Sequence, residues 1–286
     1  MYYDYFGLNE PPFKITPNTE FFYSGGERGA VLDALVYAVV HGEGIVKVSG
    51  EVGSGKTMLC RMLEEQLPEQ VERVFLANPN VLPEEVVQQI AHELQLEIAE
   101  PRGRAQSMQA LQAYLLQCHE QNRQVVVFVD EAQAMPLATL EEIRLLSNLE
   151  TRHQKLLQIV LFGQPELDSK LALPQIRQLR ERITHSFGLA PLNGRDAGEY
   201  LMFRLRRAGY HGPDLFSPRV LKEIARASGG LVRRLNILAD KTLLAAYADG
   251  THTVRLRHVK SAKRDAEFNR GTRLWDWVVG VFGRRF

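Results

Sequence analysis

Residues Gly50-Glu51-Val52-Gly53-Ser54-Gly55-Lys56-Thr57 follow the pattern G-x-x-x-x-G-K-T, the spacing of a loop that grips phosphate. Glycines let the main chain fold tightly enough to aim its N–H groups at phosphate oxygens. A helix beginning where the loop ends adds unpaired N–H groups and the positive end of its dipole. The Lys56 ammonium has the reach for β- and γ-phosphates, and the Thr57 hydroxyl is a hard oxygen donor for Mg²⁺. The predicted ligands are therefore ATP or ADP and Mg²⁺, held by residues 50–57 together with Met58. A glycine-rich turn with an incidental Lys-Thr is the competing interpretation. The flanks argue against it: Ile45-Val46-Lys47-Val48-Ser49 reads as a buried strand and Met58 to Leu67 as a helix.

A second set of chemical groups lies some seventy residues on. The apolar run Val125-Val126-Val127-Phe128-Val129 ends in Asp130-Glu131-Ala132-Gln133. An acid at the carboxyl end of a buried parallel strand points into the ligand crevice. Asp130 is expected to hold Mg²⁺ through water, and Glu131 to act as general base on the attacking water. Gln164 follows another apolar run, Leu157 to Phe162. It is placed either to sense the γ-phosphate or to cap the helix that Pro165 opens. Arg177, Arg180 and Arg182 crowd a short helix before the last strand. They form a solvated face, or they supply a cation in trans to a neighbour's transferring phosphoryl group.

These groups need a parallel sheet to bring them to one end. Five strands are predicted, at 45–49, 73–77, 125–129, 157–162 and 183–189. Helices are predicted over 29–40, from Pro83, over 107–121, 139–150 and 175–182. Beyond Asn193 strands stop, and helices are expected over 195–207, 217–228, 232–248 and 254–268. Gly230-Leu231-Val232-Arg233 opens the third of these; Arg233 in that first turn can fold over a nucleotide, with Arg234 as the alternative. The opening stretch to Ser24 carries Pro11, Pro12 and Pro17, which exclude a long helix. Phe13 and Ile15 are its candidates for an adenine pocket.

The chain of 286 residues has room for one large or two modest domains, and its 45% apolar and 24% charged residues are ordinary for a globular protein. Cys60 and Cys118 lack metal-ligand spacing, no leader peptide opens the chain, and no apolar run spans a bilayer. A cytoplasmic protein is expected. Charge is uneven. Residues 1–194 carry 16 basic and 25 acidic side chains, whereas residues 195–286 carry 19 and 9. The shift marks a boundary near residues 191–194 and directs the basic part toward an acidic partner, or simply toward the acidic half.

The assembled motifs resemble the AAA+ ATPases. More narrowly, they are similar to the ExeA/GspA secretion ATPase group and to the MshM-like ATPases of mannose-sensitive (MSHA) pilus biogenesis. Tyr5-Phe6-Gly7-Leu8, Pro12-Phe13, Asp130-Glu131-Ala132-Gln133, Leu146 to Thr151, Leu161 to Leu167 and Leu179 to Ile183 carry the likeness. It implies a five-stranded parallel α/β sheet of order 5-1-4-3-2 followed by a helical lid. It implies Gln164 as first sensor, Arg233 as second sensor, and an arginine finger at Arg182 or Arg180. It further implies a nucleotide-dependent homo-oligomer that hydrolyses ATP to assemble or energise a type IV pilus or type II secretion system through inner-membrane proteins. The chain ends before the transmembrane and peptidoglycan-binding regions of ExeA/GspA proteins, so peptidoglycan binding is not expected. Transposition and origin-binding regulators share the core, so a DNA-dependent ATPase is the alternative; a nucleotide-gated scaffold and a phosphate-loop kinase fit the motifs less well. The expected division is an arm over 1–24 packed on the core, an α/β core over 25–192, a lid over 193–268 and a tail over 269–286. As a helix, the tail gathers Leu274, Trp275, Trp277, Val278, Val279, Val281, Phe282 and Phe286 on one arc. That arc suits an anionic membrane surface, or docking on the lid or a neighbour.

Overall fold

A computed structural model describes residues 2–42, 44–76, 78–97, 103–152 and 154–266. The tail expected over 269–286 lies outside them. The chain divides into two compact units, one from Pro17 to Ala190 and one joining the residues up to Thr16 with those from Pro191 onward.

The first unit is built on five parallel strands: β1 (Ile45–Ser49), β2 (Val71–Leu76), β3 (Gln124–Val129), β4 (Leu157–Gly163) and β5 (Ile183–Gly188). Their order is β2-β3-β4-β1-β5, the predicted order read from the other edge. The central strands read as unbroken apolar runs because both faces are covered. Alternation along each strand then sends neighbouring residues to opposite cores. Ile45, Val125, Val127, Ile159 and Leu161 join a cluster built with α4 (Pro83–Glu93), α5 (Arg104–Glu120), α6 (Leu137–Leu146) and α7 (Pro165–Leu171). Val46, Val48, Val126, Phe128 and Phe162 join Leu32, Leu35, Leu59 and Leu63 of α2 (Arg28–Val40) and α3 (Lys56–Gln66). The strands run level: Ser49 pairs with Gly163, and Val129 with Leu161. Residues just past β1, β3 and β4 therefore meet at one end of the sheet. α6 stops at Leu146, short of the expected Glu150. The Ser147 hydroxyl turns back to the Arg144 carbonyl, and Lys155 binds the Ser147 carbonyl and the Glu150 carboxylate, closing a small antiparallel bridge. α8 (Arg177–Arg182) leads directly into β5.

The second unit is helical among its described residues: α1 (Tyr3–Phe6), α9 (Gly194–Arg207), α10 (Pro218–Ser228), α11 (Val232–Ala248) and α12 (Leu256–Asp265). Pro218 at the first helical position and Gly229 in the left-handed conformation (φ 62°) set the ends of α10.

The arm behaves differently from the expectation that residues 1–24 pack as a whole on the α/β core. It splits at Thr16. Residues 17–24 do lie on the α/β unit: Phe21 is buried and Arg61 of α3 donates to the Pro17 carbonyl at 3.1 Å. Residues 2–16 are tied into the helical unit. The Tyr2 hydroxyl bonds the Asp240 carboxylate, Tyr5 stacks on His252 at 4.0 Å, and Arg204 donates to the carbonyls of Pro12 (2.6 Å) and Lys14 (3.2 Å). Proline-rich extended chain cannot satisfy its own carbonyls, and these donors satisfy them. Phe13 is buried against Phe216, with no free ring face for adenine, and Ile15 is 51% exposed.

Candidate functional site

The phosphate loop leaves β1 at Gly50 and enters α3 at Lys56. Gly55 sits at φ 106°, which a side chain resists, and it places the loop's last N–H groups over the helix start. A Cβ on Gly50 would fall 2.9 Å from the Leu189 carbonyl oxygen and 2.8 Å from Ser54 Oγ, so the loop closes only on glycine. The Ser54 hydroxyl beneath the loop is buried and, among the described residues, has no hydrogen-bond partner. Lys56 is 5% exposed, and its Nζ donates to the carbonyls of Gly50 (2.7 Å) and Glu51 (3.1 Å). Burial lowers the Lys56 ammonium below the ordinary lysine range, although the carboxylates of Glu131, Asp130, Glu51 and Glu166 pull the other way. Glu51 and Val52 are exposed at the loop's tip, and Met58 is half-buried on α3.

The acids arrive from β3. Thr57 Oγ1 donates to Asp130 Oδ2 at 3.2 Å. Asp130 Oδ1 accepts from the Glu131 N–H at 2.8 Å, and Glu131 takes φ 54°. That left-handed residue turns the chain out of the sheet into a 3₁₀ turn, Ala132–Ala134. Gln164, one residue past β4, donates its Nε2 to Glu131 Oε2 at 2.8 Å. Burial alone would raise the Glu131 carboxyl. Hydrogen bonds from Gln164 and Gln133 and the Lys56 charge outweigh it and hold the group below the usual glutamate range.

Lys56, Thr57, Asp130, Glu131 and Gln164 are thus brought together. Arg180 and Arg182 are not. They lie on α8, exposed, at the start of β5, where Ile183 pairs with Ile45. That is the opposite end of the sheet, roughly 17 Å of strand from the loop. Arg182 is near enough to Glu150 to help lower its carboxyl, after the Lys155 hydrogen bond and charge. Arg233 is exposed in the first turn of α11 in the helical unit.

Two residues escaped the sequence reasoning. Arg28 is buried and donates to the carbonyls of Ser54 (3.2 Å), Ala190 (3.3 Å) and Gly26 (3.4 Å), bracing the phosphate loop from behind. Nothing local marks an arginine whose partners lie 26 and 162 residues away. Gln133 binds Glu131, an approach that the left-handed conformation at Glu131 creates and the sequence does not announce.

Lys56, buried and bonded among the described residues to the Gly50 and Glu51 carbonyls of its own loop, and the facing oxygens of Thr57 and Asp130 fit a polyphosphate with Mg²⁺. The chain matches a family model described as an AAA domain over residues 40–171. It is 41% identical to general secretion pathway protein A of Aeromonas hydrophila over 254 residues, covering 89% of this chain and 46% of that protein. The chain thus spans about half the length of that relative. Among solved structures it is similar to Cdc6p of Pyrobaculum aerophilum, with TM-score 0.67 and 18% identity over 90% of this chain and 73% of the other. It is also similar to the ORC2 protein of Aeropyrum pernix in its ADPNP–ADP complexes, with TM-score 0.62 and 18% identity over 88% and 72%. At that identity the likeness is one of fold.

Proposed function

Because the chain is an AAA+ ATPase of the ExeA/GspA type, we propose that it hydrolyses ATP with Mg²⁺ to energise a bacterial secretion or type IV pilus (MSHA-like) system. It acts as a nucleotide-dependent oligomer on the cytoplasmic side of the inner membrane, through that system's membrane proteins. The name and identity of the secretion relative support the setting. The chemistry is supported above all by one observation: Thr57 with Asp130, and Glu131 with Gln164, converge beside the Lys56 loop.

The loop's N–H groups and Lys56 hold the β- and γ-phosphates in place. Thr57, and Asp130 through water, would hold Mg²⁺, whose charge would offset that of the phosphate oxygens. The Glu131 carboxylate accepts a proton from the water that attacks the γ-phosphorus; the bond to the β-bridging oxygen breaks, releasing ADP and phosphate. Gln164 orients that carboxylate and serves as first sensor, and Arg233 serves as second. Arg182, or failing it Arg180, acts on a neighbouring copy, since its distance along the sheet excludes its own loop. Glu131→Gln tests the assignment: ATP binding should persist while turnover falls about 10²–10⁴-fold. Normal turnover in that variant removes Glu131 as the base.

A further inference from the structure

The Gln133 side chain spans two functional groups, and neither bond is needed to form the turn that carries it. Its Nε2 donates to Glu131 Oε2, and its Oε1 accepts the backbone N–H of Gln164 at 2.9 Å. One rigid amide thus links the carboxylate beside the phosphate loop to the main chain at the tip of β4. Rotating that amide by half a turn would set oxygen against oxygen and N–H against N–H, so its orientation is fixed by both ends. The scaffold holding it is firm. Ala132 and Met135, on either side, are fully buried in the core. The Lys170 ammonium of α7 binds the Met135 carbonyl at 2.8 Å. The wall opposite is Gly163, where a Cβ would lie 3.4 Å from Gln133 Oε1 and 2.6 Å from Leu167 Cδ2.

We propose that Gln133 is a positioning residue for ATP hydrolysis: it locks the Glu131 carboxylate so that one oxygen, Oε1, faces the attacking water. The inference rests on Glu131 being the general base. Both amides, from Gln133 and Gln164, bond Oε2. Among the described residues Oε1 has no hydrogen-bond partner, and the Glu131 side chain is exposed. A carboxylate fixed by two donors on one oxygen cannot rotate to offer that oxygen to water, and it stays ionised until the other oxygen takes the proton from that water. Gln164 gains a second tie: its side chain and its main chain reach the same carboxylate, one directly and one through Gln133. Any displacement of the β4 tip would therefore move the base.

The test is a double-mutant cycle of Glu131→Gln with Gln133→Leu, a substitution of similar volume without polar atoms, measured on the full chain with ATP and Mg²⁺. Gln133→Leu alone should keep ATP affinity within about twofold and lower kcat about ten- to a hundredfold, the scale of a misplaced catalytic group. The acid limb of its kcat–pH profile should move to higher pH, because the carboxylate has lost a donor. In the Glu131→Gln background the same substitution should lower the residual rate no further. Gln133→Glu, which keeps the shape but sets a second carboxylate beside the first, should move the acid limb further still. An unchanged kcat and profile in Gln133→Leu, with Glu131→Gln inactive, overturns the positioning role and leaves the base intact. Equal losses in both backgrounds also overturn it, since Gln133 then acts without Glu131. Full turnover in Glu131→Gln instead removes the base on which the inference stands. A fall in ATP affinity and thermal stability parallel to the fall in rate shows a structural tie only.

Discussion

At Lys56 two influences oppose each other. Burial disfavours the charged ammonium, while four carboxylates around it favour that charge, and burial prevails. A bound triphosphate adds negative charge and raises the group again. Protonated lysine is the form that binds phosphate, so ATP affinity should begin to fall on the alkaline side before the ordinary lysine range is reached. Lys56→Ala should weaken ATP about 10²-fold, near 3 kcal/mol for a charge-assisted contact. Its affinity should then be flat over the pH interval in which the wild type declines. Titration of a fluorescent ATP analogue against pH separates the two, and a parallel slope in the variant refutes the assignment. Glu131 has the opposite sign: its depressed carboxyl stays ionised as pH falls, until below the normal glutamate range. The loop and both acids were legible in the sequence because glycine, lysine and carboxylates at that spacing have few other uses. Gln133 was not, since its role depends on a left-handed residue at 131 that the letters do not announce.

Among elements, strands were read more surely than the ends of helices. β3 and β4 are covered on both faces, and a short unbroken apolar run between turn residues is what such burial requires. At the end of α6, Lys155, nine residues past Leu146, donates to the Ser147 carbonyl, a partner that no local pattern announces; Asn148, just past the helix, was the local stop signal. α2 shows the same limit from the other side. Its helical periodicity was evident, but not that Arg28 at its start holds the carbonyl of Ser54. Arg28→Ala leaves buried carbonyls without a donor, which costs about 1–3 kcal/mol. For a unit of this size the melting temperature should fall by about 3–10 °C. ATP affinity should fall with it, because the loop loses its rear support. Differential scanning calorimetry with and without nucleotide would expose an unchanged protein and sink the brace.

The sheet as a whole separates the phosphate-loop groups from the arginines of α8. The loop, the acids and Gln164 stand at the carboxyl ends of the strands, and α8 with its arginines stands at the start of β5. The predicted strand order was the family's, and the structure has it. The split of the arm was not foreseen, because the partners of Tyr2 and Pro12 lie 238 and 192 residues away. On the proposed role of Arg182 in trans, a complete site takes two copies. Arg182→Ala alone should bind ATP normally and hydrolyse it poorly. Mixed with Glu131→Gln, it should regain part of the lost turnover, because each variant supplies what its neighbour lacks. Titrating one variant against the other measures this; no recovery at any ratio moves the finger to Arg180 or ends the shared site.

The division of the arm also sets an order of events on the ribosome. Tyr2, Phe6, Leu8 and Phe13 are made before the α/β unit, yet they are buried by a unit whose remaining chain starts only at Pro191. At bacterial-scale synthesis rates the interval is roughly 10–35 s. That is ample time for the sheet to emerge and close, with four apolar side chains still unmatched at its leading end. Nascent chains stalled in the second unit would present those side chains to a chaperone, and nascent chains carried through α11 would withdraw them. The segment is made before the catalytic unit and settled after it.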